Sequence, residues 1–236
     1  MEVKIAVSKI NKYASSQSGD TVEVVERPNG GVSVVMADGQ SSGRGAKHIS
    51  ILVVRKVIAL LADGVRDGAA ARAASDSLFT ERAGKVSSTL NILSVDKQTD
   101  TIVITRNNQA PVLLVLDEAT QVLDEDCSPI GLYRDTRPTI SEIALQPGLI
   151  VVLFTDGLVH AGSRYGQPMD IKTCVEALIE GVEDPSPEVI ADSLLEHAIK
   201  LDQGRPADDV SVVVLRVTGP RGDMIRRMSV HLPLDV

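Results

Sequence analysis

At 236 residues, 43% of them apolar, the chain is long enough for one large domain or two small ones and can bury a sizeable core. Aromatic residues are scarce, with no Trp, three Tyr and two Phe, so the core must be built from Val, Ile, Leu and Ala, and recognition by base stacking or an aromatic sugar platform is disfavoured. The formal net charge of −8 argues against a phosphate-backbone partner, and it suits either plain solubility or a site that gathers carboxylates to hold hard cations.

Cys127 and Cys174 lie in unrelated segments, without the spacing of a disulfide framework or a zinc site. The opening residues MEVKIAVSKINKY hold no apolar run of signal-peptide length, and no segment reaches membrane-spanning length. The expectation is a cytoplasmic protein with no membrane and no nucleic-acid partner.

In chain order, Val-rich runs of strand length occupy 3–7, 21–26 and 32–37, the last two separated by the turn Pro28-Asn29-Gly30-Gly31. A helix follows from Gly45 to about Ala62, with Ile49, Leu52, Val53, Val57, Leu60 and Leu61 on one face and Arg55 and Lys56 on the other. Asp63-Gly64 ends it, and an alanine-rich helix is predicted over 69–79. Strands are then predicted over 101–105, 112–116, 140–145 and 149–154. The short turns Arg106-Asn107-Asn108 and Gln146-Pro147-Gly148 read as hairpin connections. Helices over 171–179 and 187–201 come next, the second with Ser186 as cap and Pro187 in its first turn. A strand over 210–217 closes the core. After it, 218–223 reads as a turn and 224–232 as an edge strand. Segregated runs of strands and helices imply an α+β layered domain rather than a parallel βαβ fold. One domain over 1–236 is expected, with its core at about 3–217 and no internal repeat or long linker. The tripeptide Arg221-Gly222-Asp223 resembles an adhesion motif, but nothing in the sequence directs the export that such a role needs.

Three places deliver an aspartate at or near the end of an apolar strand. Val34-Val35-Met36-Ala37 leads into Asp38-Gly39, Val151-Val152-Leu153-Phe154-Thr155 leads into Asp156-Gly157, and Asp208-Asp209 precedes the strand over 210–217. Strand ends are rigid, so carboxylates placed there can converge with fixed geometry. A glycine after the aspartate leaves room for backbone to approach a ligand, and its carbonyl can then donate an oxygen. Oxygen-only ligation suits Mg²⁺ or Mn²⁺. Asp-Gly alone is an ordinary turn dipeptide. The ensemble says more, because carboxylates beside buried strands are costly unless something compensates them.

Five motifs, in order, carry a specific resemblance: Ser18-Gly19-Asp20; Val35-Met36-Ala37-Asp38-Gly39 with Ser42-Gly43-Arg44-Gly45-Ala46; Ser128-Pro129-Ile130-Gly131; Leu153-Phe154-Thr155-Asp156-Gly157-Leu158; and Ala207-Asp208-Asp209-Val210-Ser211. With them the chain resembles the 2C-like, metal-dependent protein phosphatases (PPM type), in the branch typified by the stage II sporulation protein E phosphatase and bacterial stress-response phosphatases. The resemblance implies an αββα sandwich, two packed antiparallel sheets each covered by a helix pair. It implies two ions, Mn²⁺ or Mg²⁺, per active site. Asp38 would bridge both, the Gly39 carbonyl would bind one, Asp156 and Asp208 would complete the first, and Asp20 would contribute to the second. Asp209 stands where the wider superfamily often has Asn and is expected to support the site. The implied reaction is attack of a metal-activated water on phosphoserine or phosphothreonine, with no phosphoenzyme and no catalytic Cys. The implied substrate is a phosphorylated regulator of a bacterial partner-switching pathway, such as an anti-sigma-factor antagonist or a stressosome protein.

Two departures leave those positions untouched. The run Asp38-Gly39-Gln40-Ser41-Ser42-Gly43 lacks the branch's usual glycine placement, and His160 stands where an acidic residue often follows the Thr-Asp-Gly signature. The phosphate-gripping arginine of larger members has no clear counterpart, with Lys9, Lys12 and Arg44 as equal candidates. His48, His160, His197 and His231 are scattered and read as structural or surface residues, His160 lying close enough to Asp156 to shape its surroundings. A haloacid-dehalogenase reading of Val151–Gly157 fails, because an Asp-x-Asp pair is needed and Phe154 stands two before Asp156. A phosphatase-like regulatory binding module is the non-enzymatic alternative. The helix after Asp38-Gly39 is a candidate switch, with the packing of Ile49, Val53 and Val57 coupled to metal occupancy.

Overall fold

A computed structural model describes residues 1–117, 119–220 and 224–233. Its ten strands, numbered in chain order, form two five-stranded sheets whose neighbours all pair antiparallel. The first sheet runs β1 (Glu2–Ile10), β10 (Val210–Thr218), β9 (Ile150–Phe154), β6 (Val112–Leu116), β7 (Ala119–Leu123). The second runs β2 (Asp20–Glu26), β3 (Val32–Gly39), β4 (Ser88–Asp96), β5 (Thr101–Asn107), β8 (Thr139–Ala144). Helices α1 (Gly43–Ala62) and α2 (Asp67–Arg82) cover the second sheet; α4 (Ile171–Ile179) and α5 (Pro187–Leu201) cover the first. A five-residue helix, α3 (Asp156–His160), follows β9. This is the αββα sandwich that the motifs imply.

The Val-rich runs are continuous because the central strands are buried on both faces. On β3, Val34 and Met36 enter the core between the sheets while Val35 and Ala37 pack under α1 and α2. On β9 and β10, Val151, Leu153, Val213 and Leu215 face the other sheet, and Val152, Phe154, Val212 and Val214 face α4 and α5. Uninterrupted apolar runs are familiar from parallel sheets covered on both sides. Four layers impose the same pattern on an antiparallel one.

The structure adds and corrects elements. Strand β4 escapes a sequence reading because Asn91 and Ser94 interrupt its apolar run, although both are buried and Ser94 shares a 2.6 Å hydrogen bond with Ser33 on β3. Strand β7 is a short edge with no fully buried residue. The Pro28–Gly31 turn is a true hairpin, closed by the Arg27 N–H donating to the Gly31 carbonyl at 2.8 Å. The turns at Arg106-Asn107-Asn108 and Gln146-Pro147-Gly148 are not hairpins, since each carries the chain from the second sheet to the first. Ser186 precedes α5, but its hydroxyl bonds the Glu188 carboxylate rather than a helix N–H. Residues 224–233 form no strand: Met224, Met228, Val230 and Leu232 are exposed, and Arg226 ties the segment to Glu26 and to the Gly30 carbonyl. The Arg221-Gly222-Asp223 tripeptide lies outside the described residues. Both cysteines are free, and no described helix is long and apolar enough to cross a membrane.

Candidate active site

Aspartates from both sheets meet at one end of the sandwich. Strand β2 begins at Asp20, β3 ends at Asp38-Gly39, and their register sets Asp20 opposite Asp38. On the other sheet Asp156 opens α3 just beyond β9, and Asp208 and Asp209 immediately precede β10. Phe154 pairs with Val212, which lays the end of β9 beside the start of β10.

Asp20 is the junction. It is fully buried, and its Oδ2 accepts hydrogen bonds from Ser211 Oγ at 2.6 Å and Thr155 Oγ1 at 3.0 Å. The Ser211 N–H donates to Thr155 Oγ1 at 3.0 Å, which ties the Thr155 hydroxyl to the main chain of Ser211. Asp20 Oδ1 has no hydrogen-bond partner among the described groups, and the Asp20 and Asp38 carboxyls lie within reach of one another.

The electrostatics record this crowding. Burial raises the Asp20 carboxyl, against the Ser211 hydrogen bond, the Lys9 charge and the Thr155 hydrogen bond. Asp38 is pushed up to about 9, first by burial and then by the charges of Asp20, Asp156 and Asp208. Asp156 is raised by burial and then by Asp208. Like charges crowded out of water produce this pattern.

Other groups fix the frame. Asp209 is buried and accepts from the main-chain N–H groups of Lys12 and Gly19, each at 2.8 Å, tying the β1–β2 connection to β10. Lys9 on β1 and Lys47 on α1 converge on one acceptor, the Asp20 carbonyl, at 3.0 and 2.7 Å. Lys47 also donates to Thr21 Oγ1 at 3.0 Å, and that hydroxyl shares a 2.7 Å hydrogen bond with Ser50 of α1. Burial lowers both ammonium groups, and for Lys9 the charge of Lys47 adds to it. Lys12 Nζ stands 4.0 Å from Asp208 Oδ1 at the half-exposed rim, while Arg44 is exposed in the first turn of α1.

The glycines after the aspartates answer to protein backbone. A Cβ on Gly39 would sit 2.0 Å from the Ala46 carbonyl oxygen of α1, and one on Gly157 would sit 2.1 Å from the Asp209 carbonyl oxygen. Neither contact tolerates a side chain.

A cleft of about 310 Å³ opens beside Asp156, lined among others by Asn107, Asn108, Pro129, Val159 and His160. The fully buried Arg106 holds its wall, donating to the carbonyls of Asn108, Ala110 and Glu125. Pro129 comes from the Ser128–Gly131 motif, whose Ile130 exchanges main-chain hydrogen bonds with Ser88 at the start of β4. A second hollow of about 330 Å³, between α1 and α2, is lined by none of these residues.

The structure therefore gathers Asp20, Asp38, Asp156 and Asp208, with Gly39 packed under α1. Sequence reasoning gave no role to Lys47, Thr155, Ser211 or Arg106. For Lys47 a signal existed: with Ser50 it puts polar groups on the helical stripe that continues through Val54, Val57 and Leu61.

An all-carboxylate donor set with an orphaned buried oxygen fits a hard divalent cation. Among the described residues no three His, Cys, Asp or Glu side chains already stand as a closed ligand set. The aspartates share a field rather than a finished coordination sphere.

The fold is that of the 2C-type protein phosphatases. The phosphatase domain of the cell-fate determinant SpoIIE from Bacillus subtilis, solved with a fragment of its regulatory domain, superposes with a TM-score of 0.80 at 21% identity, covering 94% of this chain and 64% of that one. The RsbU and RsbW domains of Rv1364c from Mycobacterium tuberculosis give 0.78 at 16% identity, covering 93% and 61%. The catalytic domain of the serine/threonine phosphatase PstP, in complex with two manganese ions, gives 0.70 at 20% identity, covering 92% and 99%. The chain belongs to the stage II sporulation protein E (SpoIIE) family, whose profile matches residues 28–218. Stage II sporulation protein E of Bacillus subtilis is 22% identical over 200 residues, 85% of this chain but 24% of that protein, so the chain spans about a quarter of that relative's length.

Proposed function

We propose that residues 1–236 form one phosphatase domain that removes phosphate from phosphoserine or phosphothreonine of a regulatory protein in a metal-dependent reaction. The carrying observation is the convergence of Asp20 and Asp38, set opposite one another by the β2–β3 register, with Asp156 and Asp208 from the other sheet, at a buried Asp20 Oδ1 that has no hydrogen-bond partner among the described groups. In a SpoIIE-family chain, such a cluster is best understood as a cation site. Asp38 would serve two Mn²⁺ or Mg²⁺ ions, with Asp156 and Asp208 at the first, Asp20 at the second and the Gly39 carbonyl at one of them. When bound, the ions neutralise phosphoryl oxygens and acidify water.

The chain's own residues do the rest. Ser211 and Thr155 keep Asp20 oriented towards Asp38. Asp209 keeps the 12–19 segment closed beneath the site. Arg106 holds the wall of the cleft, which would take the residues flanking the phosphorylated side chain.

The substrate class we favour is a phosphorylated anti-sigma-factor antagonist or stressosome-type protein in the cytoplasm. Its support is the family together with the likeness to the RsbU and RsbW domains. Hydrolysis of p-nitrophenyl phosphate with and without Mn²⁺, followed by a panel of phosphorylated regulators from the same genome, tests the reading. Absence of Mn²⁺-stimulated hydrolysis on all substrates would instead favour a phosphatase-like binding module.

A further inference from the structure

Lys9 and Lys47 come from opposite halves of the sandwich, one from β1 of the first sheet and one from α1 above the second. Their ammonium groups meet on the Asp20 carbonyl, at 3.0 and 2.7 Å. One neutral donor would satisfy that carbonyl. Placing two like charges on it costs repulsion, so the charge itself must offset something.

Asp20 has other anchors besides these two bonds: the β2–β3 register opposite Asp38 and the Ser211 and Thr155 hydroxyls from the other sheet. What the lysines add is positive charge. Lys9 faces Asp20 and Asp209; Lys47 faces Asp20, Glu23 and Asp209.

We infer that Lys9 and Lys47 are built-in countercharges of the aspartate cluster, which hold the carboxylates together in the metal-free protein and thereby weaken its affinity for divalent cations. The inference rests on the metal-dependent reading above. Its physical content is a trade: fixed ammonium groups relieve carboxylate repulsion, and the same groups repel a dication approaching Asp20. They are positioning residues of an electrostatic kind, with no contact to substrate implied.

The test is calorimetric titration of Mn²⁺ into the metal-free protein, paired with thermal unfolding in chelator, for wild type, Lys47→Met, Lys9→Met and Lys47→Arg. Each Met variant is expected to bind Mn²⁺ at least about threefold more tightly, while its metal-free Tm falls by about 2–4 °C. Lys47→Arg, which keeps the charge, should stay near wild type in both. A merely structural role would lower affinity and stability together, so tightening with loss of stability is the distinguishing signature. Unchanged or weaker Mn²⁺ binding by the Met variants, with wild type binding normally, overturns this inference alone. If wild type takes up no Mn²⁺, the metal-dependent reading falls and this inference falls with it. Should Lys47→Met not fold, Lys9→Met decides, since Lys9 is the more exposed residue of the two and lies on the edge strand β1.

Discussion

Ser211 Oγ lies 2.6 Å from Asp20 Oδ2, and this hydrogen bond joins the two sheets where the aspartates meet. Neither residue could be placed beside the other from sequence, because 191 positions separate them. The bond makes the site and the sandwich interdependent, since sliding one sheet along the other would strand a buried carboxylate.

Ser211→Ala and Thr155→Val should therefore each destabilise the protein by roughly 1–3 kcal/mol, the cost of removing a donor from a buried carboxylate. Because both hydroxyls donate to the same Asp20 oxygen and the Thr155 hydroxyl also accepts from the Ser211 N–H, the double variant should cost less than the sum of the singles. Denaturant unfolding of the four proteins measures this. Changes within about 0.5 kcal/mol would mean the cross-sheet bonds add nothing.

Asp38→Asn should be the most severe single change for activity, with Asp156→Asn close behind, because the proposed reaction draws several kcal/mol of its barrier reduction from the ions these residues would hold. We expect loss of at least about a hundredfold in turnover, read with p-nitrophenyl phosphate and Mn²⁺. Retention of more than about a tenth by either variant would sink the two-ion assignment.

The same residue governs pH dependence. A carboxyl whose folded pKa exceeds its unfolded value keeps a proton that the unfolded chain releases, so rising pH favours unfolding. For Asp38 the window opens near the ordinary value of 3.8 and closes at about 9, and Asp20 and Asp156 shift in the same direction. Without metal, thermal stability should fall as pH climbs through that window, and Asp38→Asn should flatten the fall. Affinity for Mn²⁺ should rise over the same range, because the ion competes with protons. Metal-free stability that increased with pH would contradict the crowding at Asp38.

Helix α1 touches the site through Ala46, Lys47 and Ser50, while Val53 and Val57 anchor it in the core below. Val53→Ala and Val57→Ala should each cost roughly 1–3 kcal/mol of stability. If α1 is a switch, apparent Mn²⁺ affinity should weaken as well. Loss of stability with unchanged affinity would show the helix to be scaffold.

Phosphothreonine and phosphoserine peptides should be hydrolysed in preference to phosphotyrosine peptides. Among the described residues no Phe, Tyr or Trp lines the cleft beside Asp156 to stack on a tyrosine ring. Kinetics on matched peptides differing only in the phosphorylated residue decide the point. A preference for phosphotyrosine would refute it.

Much of this protein was readable along the chain. Eight strands and four long helices follow from apolar runs, turn dipeptides and helix-end signals, because local backbone preference and core burial point the same way over those segments. Asp38, Asp156 and Asp208 could be singled out because each abuts a buried strand, where a bare carboxylate is costly, whereas Asp20 was marked only by the Ser18-Gly19-Asp20 resemblance. Strand β4 was hidden by Asn91 and Ser94, buried polar residues in an apolar run, and the partner of Ser94 lies on β3.

Tertiary structure alone decided what depends on distant pairing. The Asp20–Asp38 opposition is a matter of register. The Ser211 and Thr155 contacts need two sheets stacked, and the meeting of Lys9 and Lys47 on one carbonyl needs opposite halves of the sandwich brought to one end. The turns after β5 and β8 read as hairpins because their residues permit one, yet the chain uses them to change sheets. Local chemistry sets how tightly the backbone can turn, and which layer has room for the next strand is settled only when the whole core packs.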